Sequence, residues 1–349
     1  MTKGMVRPSN VLVVDDSALM RQMIKDILKL DPRFTVVAVA RDGVDALEKI
    51  MKFQPDLVTL DVEMPRMDGL TTLKEIVRRF AIPVIMVSSQ TQQGSRVTVE
   101  ALSLGAVDFI TKPDAMHDDP KQTLHKDLLL KAAAAVRVKV KPDPIPRQPV
   151  RAVPAKAAYG TAKQVVVVGA STGGPRALEA LLLNLPQDLP AAVLVTQHMP
   201  PNFTRALAER LDKEAALRIK EAEHGEPVLC GVAYFAPGNY HMEVDASHRI
   251  RLTQDPPVEH VRPSANVMML AAAAVYGKNI IGVILTGMGK DGAAGMTGIK
   301  QAGGRTIVQD EATATIFSMP KAVIDVGAAD WVLPLDRIAA RITDLCGGN

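Results

Sequence analysis

Two α/β domains, each built on a mainly parallel sheet, are predicted by three observations. Aliphatic runs recur along the chain, at Val11–Val14, Thr35–Val39, Leu57–Leu60, Val84–Val87 and Ala106–Ile110, and again at Val165–Val168, Ala192–Thr196 and Ile280–Leu285. Amphipathic helical patterns such as Ala18–Leu30 and Leu70–Arg79 separate the runs of the first half, and strands alternating with helices give a parallel sheet covered on both faces. A proline-rich stretch, KVKPDPIPRQPVRAVP at Lys139–Pro154, then breaks all periodicity. Proline removes backbone donors and stiffens the chain, so an extended, solvated linker is expected there. The reading is a first domain over residues 1–138, a linker over 139–163 and a second, doubly wound domain over 164–349. The length of 349 residues suits two domains. A hairpin near His241–Leu252, turning at Asp245–His248, interrupts the second alternation.

Composition narrows the function. Hydrophobic residues make up 47% of the chain and aromatic ones 3%, so the cores are aliphatic. The 41 basic and 38 acidic residues leave a net charge of +3, too balanced for a nucleic-acid or membrane surface. No apolar stretch reaches the ~18–20 residues of a membrane span, and MTKGMVRPSN lacks the apolar core of a signal peptide. A soluble cytoplasmic protein is expected. Cys230 and Cys346 sit in no metal-spaced cluster and read as reduced thiols.

In the first half, polar residues stand where strands end. Asp15 and Asp16 follow VLVV, Asp61 follows LVTL, Ser88 follows PVIMV and Lys112 follows DFIT. Ligands of open parallel sheets sit outside the carboxyl ends of strands. Three carboxylates gathered there repel one another and call for a cation, and Mg²⁺ suits oxygen ligands. With a hydroxyl and an ammonium added, the set fits phosphoryl transfer: a carboxylate attacks phosphorus while metal and lysine neutralise charge. Asp61 is the nucleophile in this reading, since Asp15 and Asp16 serve the metal. A single strand-end aspartate would read as a helix cap; five such polar residues in this order do not.

The stretches VLVVDDSALMR, LDVEMPRMDGL, VSS and GAVDFITKP resemble the receiver domain of response regulators over roughly residues 9–138. The resemblance implies a flavodoxin-like (βα)5 fold, with Asp61 as phosphoacceptor and a histidine kinase as phosphodonor. It implies Asp15, Asp16, Asp61 and the backbone carbonyl of Glu63 as Mg²⁺ ligands, and Ser88, Phe109 and Lys112 as switch residues. Phe109 stands where the family often has Tyr, so packing can switch there but an outer hydroxyl bond cannot. Lys112–Pro113 is expected to be a cis peptide bond.

The second half opens on QVVVVGASTGGP, which reads as a phosphate-binding glycine turn or as a G-x-S-x-G nucleophile turn. The glycines do not fit G-x-G-x-x-G and no G-K-[ST] follows, which weakens the phosphate reading. A serine needs a base and the base an orienter. VTQHMPP supplies His198 and ILTGMGKDGAAG supplies Asp291, each just past an aliphatic run. Ser171 alone would read as a helix cap, His198 as a surface histidine and Asp291 as a cap for Gly292–Gln301. Together they make a triad, with His241 the best rival for the base. The order Ser, His, Asp differs from the Ser, acid, His order of α/β-hydrolases. The glycines beside Ser171 are read as room for a substrate helix and for N–H donors.

GASTGGP, TQHMP, APGNYHMEV, RPSANV and LTGMGKDGAAG resemble the catalytic domain of the chemotaxis protein-glutamate methylesterases, the CheB family, over about residues 164–345. The resemblance implies a hydrolase acting on glutamate γ-methyl esters of methyl-accepting chemoreceptors and releasing methanol, with glutamine deamidation in some relatives. It implies Ser171 as nucleophile, His198 as base then acid, Asp291 as orienter, Met288 near the oxyanion and Thr172 lining the site, with no esterase cofactor. Asn266 stands where Asp is common, which puts a helix-start contact in doubt. Two other readings share these residues: the same chemistry on a non-chemotaxis receptor array, and a non-catalytic phospho-switch that binds a partner.

Overall fold

The structure is a computed structural model that describes residues 7–89, 91–113, 120–138 and 160–347. The chain divides between residues 147 and 148 into two compact units, each described by itself below. Most of the stretch read as a linker, residues 139–159, lies outside the described residues. Among the described residues no helix is long and apolar enough to cross a membrane.

The first unit alternates strand and helix five times. Its elements are β1 (Ser9–Val14), α1 (Ala18–Lys29), β2 (Phe34–Ala40), α2 (Gly43–Phe53), β3 (Leu57–Asp61), α3 (Gly69–Arg79), β4 (Val84–Ser88), α4 (Gln92–Leu104), β5 (Asp108–Thr111) and α5 (Pro120–Ala135). The five-stranded sheet has the order β2-β1-β3-β4-β5, all parallel. This is the flavodoxin-like order, whose ligand crevice opens beside the first strand. Val11, Val13, Leu57, Ile85 and Val87 from the sheet pack with Ile24, Leu28 and Leu128 from helices in one buried cluster. Helices start where side chains satisfy their free N–H groups: Ser17, Asp42, Asp68 and Thr91 each accept one from the first turn.

The second unit comprises β6 (Val165–Ala170), α6 (Gly174–Leu182), β7 (Ala192–Gln197), α7 (Phe203–Asp212), β8 (Arg218–Glu221), β9 (Val232–Phe235), β10 (His241–Val244) and β11 (Ile250–Thr253). There follow α8 (Ala265–Tyr276), β12 (Ile280–Ile284), α9 (Ala293–Gln301), β13 (Arg305–Gln309), α10 (Ser318–Asp325), β14 (Trp331–Leu333) and α11 (Leu335–Gly347). Seven parallel strands run in the order β14-β13-β12-β6-β7-β9-β8. Strands β10 and β11 form the separate antiparallel hairpin. The chain leaves β6 toward β7 on one side and later places β12 on the other, so the topological switch point lies at the end of β6. Residues 160–162 already pair with this unit: Thr161 bridges Leu229 and the Ala162 N–H donates to the Val228 carbonyl.

Candidate active site and phosphoacceptor site

In the first unit the three carboxylates converge: Asp15, Asp16 and Asp61 each offer an oxygen within 4.8 Å of the others. Lys112 Nζ lies 2.8 Å from Asp61 Oδ2 and 3.2 Å from Asp15 Oδ2. Burial pushes the Asp61 carboxyl up to about 6, and the Asp15 charge adds to this, while Lys112 opposes it. Burial likewise raises Asp15. Asp15 Oδ2 is buried, with the Lys112 ammonium its one polar partner among the described residues. Close anionic oxygens with unused acceptor capacity are the donor set a hard dication takes. The Ser88 hydroxyl donates to the Ser89 and Gly94 carbonyls, at 3.2 and 3.3 Å. Phe109 is buried, with the Lys131 ammonium 5.0 Å from its ring centre. The backbone N–H of Glu63 points to Asp61 Oδ1 at 3.4 Å. The cis bond expected at Lys112–Pro113 is not there; the cis bond of the described chain is Arg262–Pro263.

In the second unit three neighbouring strands, β12, β6 and β7, end at one sheet edge and carry Asp291, Ser171 and His198. The register that pairs Ala170 with Gln197 makes Ser171 and His198 the next two facing positions. His198 Nε2 lies 2.8 Å from Asp291 Oδ2. A carboxylate on Nε2 takes that N–H and leaves the lone pair of a neutral imidazole on Nδ1. Ser171 Oγ has no hydrogen-bond partner among the described residues, and Ser171 is half-buried.

Asp291 holds more than the histidine. Its Oδ1 accepts from Ser264 Oγ (2.7 Å) and the Asn266 N–H (3.0 Å), and its Oδ2 accepts from the Ala265 N–H (2.6 Å) as well as from His198. These donors form the start of α8, so the carboxylate sits on the positive end of that helix. Burial works to raise the Asp291 carboxyl, but the His198 bond and charge and the helix-start donors outweigh it and hold it below its ordinary value. The cap reading of Asp291 therefore needs correcting: it caps α8, not the helix that follows it. The return bond comes from Asn266, whose Oδ1 accepts from the Gly292 and Gly295 N–H groups at 3.0 and 2.8 Å and so caps α9. An amide oxygen suffices for that contact, which resolves the doubt attached to Asn at this position.

Gln197 went unnoticed in the sequence. It is buried, and its Nε2 donates to the backbone carbonyls of both Ser171 (3.0 Å) and His198 (3.3 Å). One amide thus ties the two strand ends together. The only sequence signal was its place between a buried strand and His198. The glycines after Ser171 serve this packing. A Cβ at Gly174 would stand 2.0 Å from Gln197 Oε1, and one at Gly173 (φ +76°) would stand 2.5 Å from the Thr315 side chain. The space expected for a substrate helix is, at these two positions, filled by the protein's own side chains. Thr172 is buried, its carbonyl accepting from Thr286 Oγ1 at 3.0 Å, and Met288 is half-buried on the β12 loop. That loop is stitched to residues 316–319: Ser318 Oγ donates to the Gly287 carbonyl and the Met319 N–H to the same carbonyl. His241, the rival base, is buried with both ring nitrogens engaged, Nε2 on the Pro256 carbonyl and Nδ1 on the Ser264 N–H.

A receiver-type (βα)5 unit with a carboxylate cluster, and an α/β unit with Ser, His and Asp at adjacent strand ends, define a class: a hydrolase-type catalytic unit joined to a phosphorylation-type receiver. The family models agree. Residues 166–342 match CheB methylesterase and residues 11–119 match the response regulator receiver domain. A protein-glutamate methylesterase/protein-glutamine glutaminase of Symbiobacterium thermophilum is 47% identical over 99% of each chain. One of the same description from Pyrococcus horikoshii is 46% identical over 97% of this chain and 94% of its own. The crystal structure of the Thermotoga maritima CheB methylesterase catalytic domain is 44% identical, with a TM-score of 0.51, over 52% of this chain and 98% of that one. The chain belongs to the CheB methylesterase family, with a receiver domain at its N-terminal side.

Proposed function

We propose that Ser171, His198 and Asp291 hydrolyse γ-methyl esters of glutamate on chemoreceptors, and deamidate receptor glutamines by the same route. The observation that carries this reading is the 2.8 Å bond from His198 to a carboxylate seated on a helix start, one ladder position from Ser171. Asp291 accepts the Nε2 proton and leaves Nδ1 free to act as base. Ser171 Oγ attacks the ester carbonyl and its proton passes to His198 Nδ1. The tetrahedral oxyanion is held by backbone N–H groups of the loops carrying Thr172 and Met288, each such donor contributing roughly 3–4 kcal/mol. Collapse breaks the C–O bond, and the proton on His198 leaves with methoxide as methanol, or with the amide nitrogen as ammonia. Water, deprotonated by His198, then cleaves the acyl-serine to the glutamate carboxylate. The serine–histidine bond closes when substrate arrives, as catalytic contacts of free enzymes often do.

The receiver sets the rate. Asp61 accepts a phosphoryl group from a histidine kinase, and Lys112 stands ready to pair with the phosphate oxygens. Asp15, Asp16, Asp61 and the Glu63 carbonyl would hold Mg²⁺, which supplies charge neutralisation at the phosphoryl group. Ser88 and Phe109 change partners once phosphate is present. Unphosphorylated, the receiver holds the hydrolysis down; a coupling of about 1–3 kcal/mol between phosphorylation and the active state alters activity about 5- to 150-fold. The enzyme works in the cytoplasm, where receptor helices and kinase lie.

The test is methanol release from methylated receptor by the full chain, with and without phosphodonor, beside Ser171→Ala, Asp61→Asn and a fragment starting near residue 155. The reading expects no release from Ser171→Ala, no phosphodonor response from Asp61→Asn, and a fragment faster than the unphosphorylated chain. Full activity in Ser171→Ala would refute the site, and a fragment no faster than the resting chain would refute inhibition by the receiver.

A further inference from the structure

His241 is buried to 1% exposure, carries no role in the hydrolysis and yet connects to it through an unbroken line of hydrogen bonds. Its Nε2 lies 3.2 Å from the Pro256 carbonyl, which requires the proton to be on Nε2. The lone pair on Nδ1 then accepts the Ser264 N–H, also at 3.2 Å. Ser264 in turn donates its hydroxyl to Asp291 Oδ1 at 2.7 Å, and Asp291 Oδ2 accepts from His198 at 2.8 Å. Every polar atom along this line has one direction open to it, so the positions of the protons follow from the geometry. Ser264 is the N-cap residue of α8 by backbone geometry, but its side chain makes no cap bond within its own helix; the hydroxyl is spent on Asp291 instead.

We propose that His241 is a positioning residue for the hydrolytic site: through Ser264 it fixes the Asp291 carboxylate, and through that carboxylate the ring of His198. The inference rests on the triad reading above and extends it to the β10–β11 hairpin. His241 opens β10, where it pairs with Thr253, and Pro256 lies on the segment that leads from β11 to α8. The imidazole therefore joins hairpin, connecting segment and helix start at one point. Arg262 clamps the same segment from outside, donating to the Gln254 and Asp255 carbonyls and to Asn239 Oδ1. Without the Nδ1 acceptor, a buried Ser264 N–H would lose its partner. The helix start would shift to find another, carrying the Ser264 hydroxyl and the Asp291 carboxylate with it. A displacement on the order of 1 Å near a reacting pair costs up to roughly 100-fold in rate.

The experiment compares full-length wild type, His241→Leu, His241→Asn, Ser264→Ala and Ser171→Ala. Leucine keeps the volume and removes both polar atoms; asparagine restores an acceptor close to the Nδ1 position. Three quantities are read: kcat and KM for methanol release, and the proton NMR resonance of the hydrogen between His198 and Asp291. His241→Leu is expected to lose roughly 10- to 100-fold in kcat with KM within two-fold, and to move that resonance. Ser264→Ala is expected to do the same, and His241→Asn to return within a few-fold of wild type with the resonance in place. Should His241→Leu fail to fold, Ser264→Ala and His241→Asn decide. The proposal is overturned by wild-type kcat and an unmoved resonance in Ser264→Ala, or by an asparagine variant as damaged as the leucine one. Activity surviving in Ser171→Ala would instead sink the triad reading beneath it, whatever the His241 variants do.

Discussion

Replacing Asp291 by Asn tests the site and the fold at once, because one carboxylate serves both. Four donors converge on it: His198 Nε2 and the Ala265 N–H on Oδ2, Ser264 Oγ and the Asn266 N–H on Oδ1. An amide has one acceptor end. With its NH2 on the Oδ2 side, it faces the Ala265 N–H, and His198 must accept at Nε2 and carry its proton on Nδ1, the wrong tautomer for a base. With its NH2 on the Oδ1 side, Ser264 can rotate its hydroxyl, but the Asn266 N–H faces a donor. Either way one buried backbone donor is orphaned, at about 1–3 kcal/mol, and a charge is lost from a helix start, at about 0.3–2 kcal/mol. The sum, about 1–5 kcal/mol, lowers the melting temperature of the catalytic unit by roughly 2–4 °C per kcal/mol. Where the wrong tautomer prevails, kcat falls about 10⁴-fold, as in the equivalent change in a serine protease. Differential scanning calorimetry and methanol release on the same protein read the two effects. Asp291→Asn with more than a tenth of wild-type kcat while nitrogen NMR places the His198 proton on Nδ1 would refute the orienting role, and an unchanged melting temperature would refute the helix-capping account.

Three further outcomes follow from the same geometry. Gln197→Glu sets a carboxylate oxygen against the Ser171 and His198 carbonyls, and Gly174→Ala drives a methyl group into the Gln197 amide; each should lower kcat roughly 10- to 100-fold with little change in KM, and together by less than the product of the two, since they act through one contact. Strict additivity in steady-state assays would show that Gln197 is not the shared element. Asp61 titrates near 6 when folded against 3.8 ordinarily. The folded state therefore binds the extra proton between those values, and stability is lost as pH rises through that window, by at most about 3 kcal/mol. Asp61→Asn should thus raise the receiver's melting temperature in chelator more at pH 7.5 than at pH 4, and an equal gain at both would contradict this. Asn266→Ala removes the acceptor for the Gly292 and Gly295 N–H groups and should cost about 1–2 kcal/mol in thermal unfolding; a loss under about 0.3 kcal/mol would mean that α9 starts without it.

Strand ends were legible in the sequence because buried parallel strands read as unbroken aliphatic runs, and a polar residue directly after one must sit at the sheet's edge. Asp15, Asp61, Ser171 and His198 were found that way, and the sheet orders then bring each group together. Short strands without a run of their own, β8 at Arg218–Glu221 and β14 at Trp331–Leu333, were not legible, since nearly all their residues are half-buried or exposed and leave no aliphatic pattern. Nor was the exchange of caps between Asp291 and Asn266. The residues lie 25 positions apart, and local spacing encodes no reason for a carboxylate after β12 to serve the start of α8. Gly173 and Gly174 were legible as required glycines but not in their purpose, because the clashing partners, Thr315 and Gln197, come from other strands and loops. His241 was visible as a candidate base; its engagement at both nitrogens follows from the fold of the segment that supplies Pro256 and Ser264.

The central claim is that Ser171 Oγ is the nucleophile, activated by His198 Nδ1. It is tested most directly by treating the full chain with a fluorophosphonate and mapping the adduct by peptide mass spectrometry. The account predicts one phosphonyl group, on Ser171, formed in step with loss of methanol release, absent from Ser171→Ala and much slowed in His198→Ala. Labelling at another serine with Ser171 unmodified and activity lost, or full labelling of Ser171 with methanol release intact, would contradict it.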